Sequence, residues 1–215
     1  MTVQTTPREL FQTADESRYT WDENFPGYTA DVQLIYSSTG QGSEVYMGKI
    51  RINRDLSVEV TGVAEKQVEE GIYTQLQDTV THRKRASFEQ NHSQHEFSQG
   101  ETDATGAVEI LVKDDMDSTY KIRGKEICQI SRVMGRMAFV IDTHESLDTG
   151  FGYIASRYDA IFRNIKTNQV SSLLKFEDTY EKIGDYYLMS KQVVQEYKDG
   201  ERSTTEFSYS NIKLV

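Results

Sequence analysis

The densest set of metal-ligating residue types in the chain is His92-Ser93-Gln94-His95, with Glu89 and Glu96 on either side. Two imidazoles and a carboxylate suit zinc. On an extended strand, however, positions three apart point to opposite faces, so convergence requires a turn. The spacing therefore predicts a solvated pair of histidines and no metal site. Asp148-Thr149-Gly150 has the letters of the aspartic-protease triplet. That chemistry needs a second carboxylate to share the proton, and the triplet occurs once. The preceding His144-Glu145-Ser146-Leu147 is not the apolar strand that delivers such a carboxylate, so a glycine turn is expected. Asp114-Asp115-Met116-Asp117 lacks the glycine and distal glutamate of a helix-loop-helix calcium loop, which leaves an acidic hairpin tip. Gly150-Phe151-Gly152-Tyr153 precedes no helix that would hold a phosphate. The single cysteine, Cys128, lies in the apolar run Glu126-Ile127-Cys128-Gln129-Ile130 and is expected to be a buried, inert thiol. Four histidines, one thiol and scattered carboxylates form no recognisable catalytic set. The expectation is a protein that is not an enzyme and has no cofactor.

Two further groups concern binding. Arg83-Lys84-Arg85 is the one basic cluster. It compensates a helix dipole, with contact to anionic lipid or to a partner's acidic patch as the alternative. The aromatics Phe11, Tyr19, Trp21, Phe25 and Tyr28 read as core and staple first and as a ligand box second.

The elements that must position these residues follow from periodicity. Thr6-Pro7-Arg8-Glu9 combines a capping-box spacing with proline at the first helical position. A helix begins there with Leu10, Phe11 and Ala14 as its apolar stripe, and Asn24-Phe25-Pro26-Gly27 closes the segment. Ala30, Val32, Leu34 and Tyr36, then Tyr46, Ile50 and Ile52, recur at every second position around a Gly/Ser-rich turn, which predicts a hairpin. Leu56, Val58 and Val60 predict a third strand. Over 64–84 the period lengthens, with Val68, Ile72, Leu76 and Val80 on one side of a long helix. Glu65, Glu69 and Glu70 lie in its early turns and His82, Arg83, Lys84 and Arg85 late, as the dipole favours. From Ser87 to the end there is no proline and no long helical pattern, only short alternating segments separated by glycines. The run 137–141, Met-Ala-Phe-Val-Ile, is apolar on both faces, so it is expected to be a central strand holding the deepest core, covered by helix on one side. The total is about ten to eleven strands, near the limit beyond which open sheets curl. The predicted fold is α+β, mainly β: a large curved antiparallel sheet, an open half-barrel, with about two helices covering its concave face.

At 215 residues, with no linker-like stretch, the chain reads as a single domain over 1–215, with 1–5 a disordered amino terminus. A net charge of -10, from 24 basic and 34 acidic residues, opposes a polyanionic partner and argues against nucleic acid. The 13 Tyr and 9 Phe supply amphipathic side chains suited to half-buried strands. The amino terminus has no secretory-signal pattern, and no 18-residue apolar stretch predicts a transmembrane segment. With one cysteine, this points to a reducing, cytoplasmic compartment, although a chain whose transit peptide had been removed would read the same.

Arg18-Tyr19-Thr20-Trp21-Asp22-Glu23-Asn24-Phe25-Pro26-Gly27-Tyr28, His82-Arg83, Phe88-Glu89-Gln90, Tyr120-Lys121-Ile122-Arg123, Arg132-Val133-Met134-Gly135 and Asn211-Ile212-Lys213-Leu214 resemble the domain-of-unknown-function family number 3386 of cyanobacteria and plastids. The resemblance spans nearly the whole chain. It implies a photosynthetic source and a cytoplasmic or stromal location, and no activity. The element order resembles the lipoprotein carriers of the LolA/LolB type. On that architecture the expected function is enclosure of a lipid, pigment or hydrophobic peptide in the concave sheet. Phe11, Trp21, Tyr28, Ile72, Leu76 and Phe139 would line the groove, and the helix over 64–84 would be its lid. The alternative is a protein-interaction or assembly factor for a photosynthetic complex, with a filled interior and a protein partner.

Overall fold

Alternation with a period of two governs most of the chain, and strand follows strand in the computed structural model, which describes residues 5–215. Of the amino-terminal segment expected to be disordered, residues 1–4 lie outside the described residues. Twelve strands are formed among the described residues: β1 (Tyr28–Ser38), β2 (Glu44–Ile52), β3 (Val58–Thr61), β4 (Glu96–Thr102), β5 (Val108–Lys113), β6 (Thr119–Arg123), β7 (Glu126–Met134), β8 (Met137–Asp148), β9 (Tyr153–Asn164), β10 (Val170–Ile183), β11 (Tyr186–Lys198) and β12 (Glu201–Leu214). Three helices accompany them: α1 (Pro7–Glu16), α2 (Lys66–Arg83) and α3 (Phe88–His92). The fold is mainly β, an antiparallel sheet in the order β3-β2-β1-β12-β11-β10-β9-β8-β7-β6-β5-β4. Every neighbour in that order is also a neighbour in sequence except β1 and β12, which pair across the chain ends. No described helix is long and apolar enough to cross a membrane.

The chain divides into two compact units. The first takes residues 5–19 together with Ala86–Leu174. Its α1 starts where the sequence says it should. Thr6 Oγ1 accepts from the Glu9 amide (3.2 Å), and the Glu9 carboxylate accepts from the Thr6 amide (2.8 Å), a closed capping box with proline in the first turn. The buried Phe11 and Ala14 then lie over β4, β6 and β7. They join a core of Phe88, Ile110, Val112, Tyr120, Ile122 and Ile127. A single hydroxyl ties this layer together: Tyr153 Oη accepts from the Ile127 amide (3.0 Å) and donates to the Ala14 carbonyl (3.3 Å). Backbone bonds from Tyr19 to Tyr153 (2.9 Å) and from Tyr153 to Ser17 (3.0 Å) complete the anchor. The chains meet so closely there that a Cβ on Gly152 would lie 2.7 Å from the Tyr19 nitrogen.

The run 137–141 falls in β8, in the interior of the strand order as expected, but it is not the deepest core. Met137 is exposed and residues 138–141 are only half-buried. The reason is coverage: α1 packs over β4, β6 and β7, and the fully buried side chains Ile110 and Ile122 lie beneath it.

The second unit takes Thr20–Arg85 and Lys175–Val215. In β1, Tyr28, Ala30, Val32 and Leu34 are buried while Thr29, Asp31 and Gln33 are half-buried on the opposite face, the period-two pattern of a strand covered on one side. Helix α2 packs on β3 and buries Ile72, Leu76, Thr79 and Val80. Asp199 (φ 52°) and Gly200 (φ 82°) make the tight turn between β11 and β12, both in the left-handed region that a type I′ hairpin requires.

Candidate functional site

The cross-strand register of the first unit builds an apolar platform on one face of β7, β8 and β9. Ile130 pairs with Tyr120 on β6, and Tyr120 belongs to the core beneath α1, which fixes the face. Ile130 stands opposite Ile141 and Ile141 opposite Ala160; Arg132 stands opposite Phe139 and Phe139 opposite Phe162; Met134 stands opposite Met137. Directly opposed residues share a face. These three rows therefore continue the α1-covered core sideways. Yet Phe139, Ile141 and Phe162 remain half-buried, and Met134 and Met137 are 57% and 42% exposed. The Phe139 and Phe162 rings lie with centroids 5.9 Å apart.

At the border between covered core and open platform stands Arg132. Its Nη2 donates to Tyr120 Oη (2.7 Å), and the guanidinium lies 5.7 Å from the Tyr120 ring centroid. Its Nε is buried without a hydrogen-bond partner.

Of the residues expected to line a groove, Phe139 alone lies on this platform. Phe11 is in the core of the first unit, against Tyr120 (4.6 Å) and Phe97 (5.3 Å). Trp21, Tyr28, Ile72 and Leu76 are buried in the second unit, where Trp21 stacks on Phe25 at 4.1 Å and meets Tyr28 edge-on at 6.2 Å. Below α2, Tyr209 Oη donates to Gln75 Oε1, and Gln75 Nε2 donates to Thr79 Oγ1 (3.2 Å). In the basic cluster, Lys84 and Arg85 are exposed, whereas Arg83 is turned onto Tyr180, donating to its hydroxyl (3.2 Å). Among the platform's other members, Arg132 and Met134 stood in the stretch Arg132-Val133-Met134-Gly135 and Met137 in the apolar run 137–141, neither of which marked a binding face, and Phe162 stood in neither.

The remaining chemistry-bearing residues are engaged locally. His92 and His95 do converge, contrary to the strand expectation, because α3 and the turn after it bring their Nδ1 atoms to 3.0 Å. The His92 ring meets Phe11 edge-on at 5.1 Å and lies 5.0 Å from the Phe88 ring. Burial lowers its pKa below the usual histidine value. Among the described residues no group of three or more His, Cys, Asp or Glu is placed to hold a metal ion. Asp148 Oδ1 accepts from the Gly150 amide (2.8 Å) within a turn, and Asp114 Oδ1 accepts from the Met116 (2.9 Å) and Ser118 (3.0 Å) amides. Cys128 is half-buried instead of fully buried, because it occupies the irregularity where the β6–β7 register shifts; burial still raises its thiol pKa. In the second unit a groove of about 610 Å³ is lined by Thr29, Asp31, Lys49, Arg51, Glu59 and Lys213 among others. Its central Asp31 is already held by Lys49 (2.6 Å) and Asn211 (2.7 Å), and those hydrogen bonds lower its pKa.

Three solved structures are similar over most of their length at low identity. A LolA superfamily protein from Nitrosomonas europaea has 11% identity and a TM-score of 0.37, covering 99% of this chain and 94% of that one. A domain from Vibrio parahaemolyticus named for outer membrane lipoprotein sorting has 12% identity and a TM-score of 0.43, with coverage of 96% and 91%. A DUF1329 family protein from Desulfovibrio piger has 10% identity and a TM-score of 0.33, with coverage of 98% and 94%. No curated protein matches the sequence. The family whose model matches residues 2–215, the proteins of unknown function DUF3386, is the one to which this chain belongs.

Proposed function

We propose that this protein is a non-enzymatic binding protein that holds an apolar molecule against the platform of β7, β8 and β9. The observation that carries this reading is the continuous set Ile141, Phe139, Phe162, Met134 and Met137, apolar on the face that continues the core and still open to solvent. Contiguous exposed apolar surface of this kind marks a ligand or partner site. Aromatic rings give it shape, and the flexible thioethers of the two methionines adapt to irregular ligands. The mechanism is burial, with no bond made or broken.

Organic extraction and native mass spectrometry of the purified protein are expected to find a co-purifying apolar molecule. Nile red is expected to fluoresce on binding, and Phe139→Asp together with Phe162→Asp to weaken it about tenfold or more, since a charge on the platform opposes apolar contact. An empty extract and a wild-type protein that leaves the dye dark would end the proposal.

A further inference from the structure

We infer that the β7–β8 and β9–β10 turns form a docking surface for an anionic lipid bilayer, their apolar side chains entering the membrane and their cations meeting its headgroups. The two turns are adjacent, since the Ile165 amide donates to the Arg136 carbonyl (3.1 Å). Around them Met134 (57%), Met137 (42%), Ile165 (46%) and Val170 (55%) are exposed. The backbone that presents them is built. Gly135 (φ 60°) and Asn168 (φ 55°) take the left-handed corners, and Asn164 Oδ1 accepts from the Lys166 (2.9 Å) and Thr167 (3.2 Å) amides. Such turns hold an apolar side chain out to solvent without a further ordering cost on docking.

Charge supplies the chemistry of the partner. A chain with 34 acidic residues has none in 130–141 or 160–174. Arg136, Arg163 and Lys166 stand there, exposed and without a carboxylate ion-pair partner among the described residues. The next turn, 114–117, bounds the patch: the Met116 carbonyl accepts from the Val133 amide (2.7 Å), and Asp115 and Asp117 are exposed. The net charge of -10 does not decide the matter, because at about 0.1 M salt fields fade within about 10 Å and the nearest charges dominate. Apolar side chains flanked by Lys and Arg suit the membrane interface, where each cation near an anionic surface adds about fivefold to binding. A protein partner is less well matched, since Met, Ile and Val on two turns are not the clustered Tyr and Trp anchors of protein interfaces. The patch also continues the platform, whose outermost row is Met134 opposite Met137, so an apolar molecule can pass from bilayer to platform without crossing water.

The test is flotation of the full chain with vesicles of phosphatidylcholine alone and with about one quarter phosphatidylglycerol, at about 0.1 M salt. Binding is expected to be at least about tenfold tighter to the anionic vesicles and to be lost at about 0.5 M salt. Arg136→Gln combined with Lys166→Gln should weaken it about tenfold or more, and Asp115→Asn combined with Asp117→Asn should strengthen it. All four residues are exposed, so circular dichroism should not change. Ile165→Trp reports insertion: lipids brominated on their acyl chains should quench its fluorescence, while the one native tryptophan, Trp21, is buried and out of their reach. A wild type that stays off both vesicles, equal binding to the two, binding that survives loss of both cations, or an unquenched indole at the turn each overturns the proposal; capture of an acidic protein by a chain that stays off the vesicles would do the same. Nile red binding is read without vesicles, so a protein that takes the dye and ignores the bilayer keeps its platform site and loses only this docking surface.

Discussion

His92 illustrates how much of the chemistry here is decided by surroundings. The side chain is half-buried against Phe11 and Phe88, and burial disfavours its imidazolium form. Asp15 opposes that shift, while His95, Arg18 and Arg132 reinforce it. The folded pKa is therefore below the ordinary histidine value of about 6.5. An unfolded chain binds the proton more readily, so stability is fully present above that value and is lost as pH falls through it towards the folded pKa. Protonation of both rings also removes the acceptor from the Nδ1 pair with His95. The melting temperature of the wild type is expected to fall between about pH 7 and 5, and His92→Asn to flatten that slope. Equal slopes by circular dichroism would exclude His92 as the titrating group. The sequence showed two histidines and their spacing. It did not show α3, although Ser87 and Gln90 spell a capping box that could have revealed it: the helix has five residues, too few for periodicity to register.

At the scale of elements, the capping box at Thr6 and Glu9 was legible because every group in it is within three residues of the others. The docking of α1 was not, because it depends on the Gly152 corner. That backbone sits at φ +143°, with Ser17 O 2.8 Å and Tyr19 N 2.7 Å from where a Cβ would be. These are backbone atoms of the segment that leaves α1 and cannot step aside. Gly152→Ala is expected to destabilise by about 2 kcal/mol or more in urea unfolding, through clash and backbone strain together. A change below about 0.5 kcal/mol, the size of an ordinary surface substitution, would show that the corner yields. The strand β8 teaches the converse. Its apolar residues on both faces were correctly read as an interior strand, but burial does not follow from composition when the helix that covers the neighbouring strands stops short.

For the molecule as a whole, the excess of 34 acidic over 24 basic residues sets long-range behaviour whatever the fold. Filter binding at about 0.15 M salt is expected to retain no duplex DNA or RNA, because a negative surface gains nothing from counterion release. Retention that weakened with added salt would expose a basic face that the composition hides. Alternation and turn glycines determined on their own that the chain is mainly β and antiparallel, because both signals lie within a few residues of each strand. What only the tertiary structure decided is which ends meet and which surfaces stay open. Pairing of β1 with β12 joins residues near opposite ends of the chain, such as Val32 and Tyr209. Arg132 met the Tyr120 hydroxyl only when β6 was laid beside β7. Local signals determine what each segment is; the register and coverage that set Arg132 beside Phe139 and Phe162 on an open apolar face arise from packing between strands and helices, which no window along the sequence contains.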